Sequence, residues 1–225
     1  MKQCGVSMLK IYTDKNQKLS CADIEGVKNS QIAIFGFNSL GKVSYKHELS
    51  GAENKLPDLA SFSRRAKKVI IAGAITDNYG ILKQSLIIAE NGKLLGISDM
   101  TLSIGGTDYS GGGSFKVYQT GVGRIGLLVG DDIINLDGVK AMALCDADLI
   151  VAVVSTEEKP QYNFLIRAYS YLFGAPIILL SKTGVIASDM SGEICGKSIE
   201  NTANLIIPTQ KQYILVKSKR RGVKE

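Results

Sequence analysis

Gly121–Val153, GVGRIGLLVGDDIINLDGVKAMALCDADLIVAV, reads as a strand, a tight turn, a helix and a second strand in succession. Arg124 to Val129 is a short apolar run that suits a strand buried on both faces. Gly130 stops it, and Asp131 and Asp132 follow directly. Asp137 to Ala147 has helical spacing, with Val139, Met142, Ala143 and Leu144 on its apolar side, and Leu149 to Val154 is the next strand. A residue on such a turn is pushed into the open beside the first free N–H groups of the helix, and hydrolases place a nucleophile there. Here that residue is Gly130, which has no side chain.

Outward from this stretch, strands and helices alternate. Strands are expected at Cys4 to Tyr12, Gln31 to Phe37, Val69 to Ile75, Leu82 to Glu90 with Gly92 at a hairpin, and Phe115 to Gln119. Further strands follow at Ala175 to Leu180, in a hairpin region from Gly184 to Gly196, and at Ala203 to Ile207 and Gln212 to Val216. Leu56 to Lys68 is helical, with Pro57 in its first turn, and Lys15 to Lys28 carries a weaker helical pattern. Gln161 to Phe173 is a helix with Phe164, Leu165, Ala168, Tyr171 and Leu172 on its apolar side and Gly174 as its cap. The formal G-x-G-x-x-G at Gly121, Gly123 and Gly126 opens a strand instead of a helix, which rules out a dinucleotide fingerprint and leaves a hairpin turn. The pattern is that of an α/β protein with some antiparallel hairpins.

The 225 residues, 45% of them hydrophobic, suffice for one domain with a full core. No apolar run approaches the roughly 20 residues that cross a bilayer, and the first residues are too polar for a signal peptide, so the expected setting is cytoplasmic, away from membranes. Cys4, Cys21, Cys145 and Cys195 lie far apart without metal-ligand spacing; free, mostly buried thiols are expected, and no metal or cofactor. Of the net charge of +6, the last nine residues, KSKRRGVKE, supply five basic residues and one acid. With no aromatic residue interleaved, residues 217–225 read as a solvated basic tail and not a nucleic-acid site.

The turn at Gly130 resembles the nucleophile elbow of the nitrilase, or carbon–nitrogen hydrolase, superfamily. Its members read I-G-x-x-I-C-Y-D-x-R-F-P-E before a helix that ends in G-A-D; here the corresponding residues run from Ile125-Gly126 through Gly130-Asp131-Asp132 to Asp146-Ala147-Asp148. IIAENGKLLGISDMTL resembles the family's V-I-x-P-D-G-x-x-x-x-x-Y-R-K-x-H-L, and Arg167-Ala168 and Gly196-Lys197-Ser198-Ile199 match later motifs. The resemblance spans residues 1–216 as one domain. It implies a four-layer αββα sandwich: two facing sheets covered on both outer sides by helices.

The resemblance also implies a chemistry, a thioester formed on cysteine with help from glutamate and lysine. Matched by motif, the cysteine falls on Gly130, the glutamate on Phe37 and the lysine on Asp99. Because no cysteine lies between Cys21 and Cys145, no small shift restores the nucleophile. Cys145 reads as a small buried side chain, His47 sits in a polar loop without a partner motif, and Ser114 and Ser198 lack a histidine base. The expectation is a divergent member without the Cys-Glu-Lys triad, a non-catalytic binding or regulatory protein, homodimeric by analogy, with an unidentified small-molecule ligand. The alternative is a carbon–nitrogen hydrolase with an Asp-based, metal-assisted site. In that case Asp99, Asp108, Asp131 and Asp132 converge; otherwise Asp132 bonds locally and the rest are solvated.

Overall fold

The apolar runs become the strands of two stacked sheets in this computed structural model, which describes residues 8–102 and 108–209. The first half of the chain supplies β1 (Met8–Asp14), α1 (Ile24–Lys28), β2 (Ile32–Phe35), β3 (Gly41–Ser44), α2 (Tyr45–Ser50), α3 (Lys55–Ala66), β4 (Val69–Asn78), β5 (Ile81–Glu90) and β6 (Lys93–Asp99). The second supplies β7 (Lys116–Thr120), β8 (Gly123–Val129), α4 (Leu136–Leu144), β9 (Leu149–Val153), α5 (Pro160–Phe173), β10 (Ile177–Leu180), β11 (Val185–Ser188), β12 (Ile194–Ser198) and β13 (Thr202–Pro208).

One sheet runs β13-β1-β2-β4-β5-β6, with β3 also paired to β4; the other runs β12-β11-β10-β9-β8-β7. Each has a parallel centre, β1, β2 and β4 in the first and β8, β9 and β10 in the second, extended by antiparallel strands toward its edges. The parallel centres carry the continuous runs IAIF, LIVAV and IILL, as strands buried on both faces should.

Alternation of side chains along each strand sorts them into three apolar layers. On β5, Leu86 and Ile88 join Ile34, Ile71, Leu127, Val129, Val151 and Val153 between the sheets. Ile87 and Ala89 face the other way, beneath Leu59 and Phe62 of α3. On the far side Leu128, Ile150 and Ala152 lie beneath Val139 and Met142 of α4 and Tyr162 and Ile166 of α5. This is the expected αββα sandwich.

Three local expectations are corrected. Lys15 to Lys28 is a 3₁₀ turn at Leu19–Cys21 followed by the five-residue α1, not one helix. The short β3 and α2 went unforeseen between Phe37 and Leu56. The expected apolar side of α5 faces outward: Phe164, Tyr171 and Leu172 are 71%, 66% and 65% exposed, while Tyr162, Ile166, Tyr169 and Ser170 are buried. That helix has two apolar stripes, and the core takes the one whose buried tyrosine finds a partner, the Tyr162 hydroxyl donating to Asp131 at 2.7 Å. Cys4, the strand expected at 212–216 and the basic tail at 217–225 lie outside the described residues.

Ile71, fully buried near the start of β4, touches the core shared by both sheets. Ile71→Ala should cost about 2–5 kcal/mol, the range for large-to-small changes in a rigid core. Urea denaturation checks it; a loss under about 1 kcal/mol means the sheets do not share a tightly packed interior.

Candidate functional site

β8 ends at Val129, and Gly130 turns the chain with φ +58, a left-handed conformation that favours glycine. A 3₁₀ turn, Gly130–Ile134, carries the chain to Asn135, whose Oδ1 accepts from the backbone N–H groups of Asp137 and Gly138 and caps α4. The elbow expected from the sequence is present.

The space in front of it is filled. A Cβ at Gly130 would lie 2.6 Å from Met100 Sδ and 2.9 Å from Gln84 Oε1. Ser155, just past β9, donates to the same Gln84 oxygen at 3.2 Å. Nearby, between the carboxyl ends of the two sheets' parallel strands, Phe37, Lys15, Ser155, Ser181 and Lys182 surround a cavity of about 10 Å³. That is close to the minimum for one water molecule and far too small for a substrate. Phe37 is half-buried against the inter-sheet core.

The candidate acids are held separately. Asp132, 1% exposed, accepts from the Thr101 hydroxyl at 2.7 Å and from the backbone N–H groups of Thr101 and Leu102 at 2.9 and 2.8 Å. Burial pushes its carboxyl above the usual range, and these donors pull the other way. Asp131 accepts from the Tyr162 hydroxyl and lies 3.6 Å from Lys159 Nζ, which sits over the Tyr162 ring. Burial raises the Tyr162 phenol, and the bond and charge of that phenol raise the Lys159 ammonium.

Asp99 pairs across the sheet with Ser85, on the face opposite Leu86 and Met100. There it accepts from Lys83 at 2.9 Å and Ser85 at 2.8 Å, and Ser85 contacts the Thr76 hydroxyl at 2.9 Å. It is thus directed away from Gly130; one residue along, Met100 takes the inward place. Asp108 is exposed. The convergence of Asp99, Asp108, Asp131 and Asp132 required for an electronegative pocket does not occur, and no metal-holding group of three His, Cys, Asp or Glu exists among the described residues.

The cysteines also differ from expectation. Among the described residues Cys21 and Cys145 are exposed and Cys195 is partly buried, its thiol pushed up by that burial. Cys145 caps the C-terminal end of the nine-residue α4, about 13 Å along the helix from the elbow. His47 lies on α2, 3.9 Å from Glu53. Gln84, Met100 and Ser155 were missed; the available signal was parity, since Gln84 is the polar member of the inward series Gln84, Leu86, Ile88.

The model of the carbon–nitrogen hydrolase family matches residues 30–212. The fold is that of a carbon–nitrogen hydrolase from Helicobacter pylori G27, at TM-score 0.69 and 14% identity, covering 90% of this chain and 89% of that one. A mutant amidase from Nesterenkonia sp. AN1, which shows Michael addition of acrylamide at its active-site cysteine, superposes at TM-score 0.69 and 13% identity over 93% and 96% of the two chains. The glutamine-dependent NAD+ synthetase from Acinetobacter baumannii matches at TM-score 0.66 and 15% identity, covering 89% of this chain and 45% of that one. Among curated proteins none matches the sequence.

Gly130→Ala should destabilise the protein by about 1–3 kcal/mol, because alanine is strained at this φ and its methyl meets Met100. Met100→Ala removes that obstacle, so in a double-mutant cycle the two changes together should cost less than their sum. Strict additivity would show that Met100 does not close the elbow.

Proposed function

The chain belongs to the carbon–nitrogen hydrolase family, and from that membership we propose that it has lost the family's chemistry and acts as a non-catalytic binding or regulatory protein. The observation that carries this reading is the elbow itself: a glycine at φ +58 with Met100 and Gln84 packed where a nucleophile would project. Covalent attack on an amide needs a nucleophilic atom, a base to take its proton and a positive or N–H group for the oxyanion. Around the turn stand Gly130, Phe37 and, in the inward place that the motif match gave to Asp99, Met100, and none of the three offers a nucleophile, a base or a cation. The scattered acids give the metal-assisted alternative no shared site among the described residues. Exposed Cys145 stands at the wrong end of α4 to replace the missing sulfur.

A cytoplasmic setting belongs to the same proposal. No described helix is long and apolar enough to cross a membrane, and Cys21, Cys145 and Cys195 are free. The homodimer does too: the outer stripe of α5, with Phe164, Tyr171 and Leu172, lies on the side of the sandwich where Leu144 of α4 is 76% exposed. An apolar surface of this kind marks an interaction face.

Purified protein incubated with butyramide and other small amides should release no ammonia above a protein-free blank. Release abolished by Cys145→Ser, or by Asp131→Asn, would overturn the non-catalytic reading.

In sedimentation velocity the chain should run as a dimer, and Phe164→Glu with Leu172→Glu should convert it to a folded monomer. A wild type that remains monomeric at tens of micromolar would sink the dimer.

A further inference from the structure

A cleft of about 570 Å³ lies on the outer side of the first sheet, unrelated to the closed elbow. One wall is built where chains leave the parallel strands: Lys18–Ser20 beyond β1 and Asn38–Leu40 beyond β2, continuing into β3. The other is α3, whose Lys55, Asp58, Phe62 and Arg65 recur every three or four residues and therefore share a face. Leu19, Leu40 and Phe62 belong to the apolar layer beneath, so the floor is built from core residues and not from mobile surface chains.

Four cations line this cleft, Lys18, Lys42, Lys55 and Arg65, against a single acid, Asp58. Outside residues 217–225 the chain is nearly neutral, so this imbalance is a local concentration and not a reflection of composition. Two of the four are partly neutralised: Lys42 pairs with Asp77 at 2.8 Å and Lys55 with Glu53 at 3.4 Å. The Lys55 ammonium also donates to the Lys42 carbonyl, which fixes one against the other. Lys18 and Arg65 have no carboxylate within ion-pair distance among the described residues, and the Arg65 guanidinium rests over the Phe62 ring, 5.7 Å from its centroid. A guanidinium placed over an aromatic ring is restrained by that contact while its planar donors remain available to an anion.

From this arrangement we propose that the cleft binds a small phosphorylated organic molecule bearing hydroxyl groups, of the size of a nucleoside monophosphate. The phosphate answers Lys18 and Arg65, with Lys42 and Lys55 adding to the field. Asp58, Asn38 and Ser61 offer acceptors and donors for hydroxyl groups. The apolar floor and the volume call for more than a bare phosphate, since clefts of about 300–1,000 Å³ suit organic ligands. The site does not depend on the fate of the elbow: the ammonia assay leaves it untouched, and its own failure leaves the loss of hydrolase chemistry standing.

The test is calorimetric titration of the full chain with AMP, with adenosine and inorganic phosphate as separate arms. AMP should bind with a sub-millimolar Kd, more tightly than either fragment, and should weaken as salt is raised. Lys18→Ala with Arg65→Ala, both exposed positions, should weaken AMP by about tenfold or more while circular dichroism and Tm stay those of the wild type. No AMP binding, adenosine binding as tightly as AMP, or unchanged affinity in the double variant would each overturn the proposal.

Discussion

The buried carboxylate of Asp132 joins the two halves of the sandwich at the site. It leaves the second sheet immediately after β8 and takes up the Thr101 hydroxyl and the Thr101 and Leu102 N–H groups, which leave the first sheet immediately after β6. A fully buried carboxyl is expensive to desolvate, and removing its partners leaves an uncompensated polar group. Both chain segments are therefore held in register with one another. Met100 directly precedes Thr101, so clamping Thr101 to Asp132 also sets Met100 against the elbow. The closed front of Gly130 thus follows from the same bond that holds the elbow in shape.

Asp131 extends the anchoring in the opposite direction. Through Tyr162 and Lys159 it ties the elbow to the start of α5, and the requirement to satisfy that buried phenol decides which stripe of α5 enters the core. The two adjacent aspartates do different structural work because the 3₁₀ turn sends one toward the first sheet and the other toward the helical layer. An acid pair that looked like a cation site in one dimension is, in three, a pair of clamps pulling apart.

The layered fold was legible because its signals are local. Continuous apolar runs such as LIVAV mark strands buried on both faces, the glycine between β8 and the aspartates marks the elbow, and Asn91-Gly92 marks a hairpin. What was not legible depended on parity or on tertiary choice. Reading Asp99 as facing Gly130 required its side chain to point inward, and pairing with Ser85 places it outward. On α5 both stripes are apolar, and periodicity alone has no means of ranking them. Gln84 escaped notice because a single glutamine in an apolar strand reads as an imperfection until the elbow is placed opposite it.

An elbow that carries a side chain at positive φ stores backbone strain, which the surrounding structure has to hold. Glycine at position 130 removes that strain along with the side chain. Without a side chain to accommodate, Met100 and Gln84 close over the turn, and the space a side chain would enter is taken up by packing between the sheets. Reopening it would require room to be made at Met100 as well as a side chain at 130, so a single substitution at the turn meets resistance from both backbone and core. On the outer side of the first sheet, Lys18, Arg65 and Asp58 line a cleft that the closure does not touch. A closed turn between the sheets and an open cleft outside them are compatible because the apolar layers on the two faces of the first sheet are packed separately.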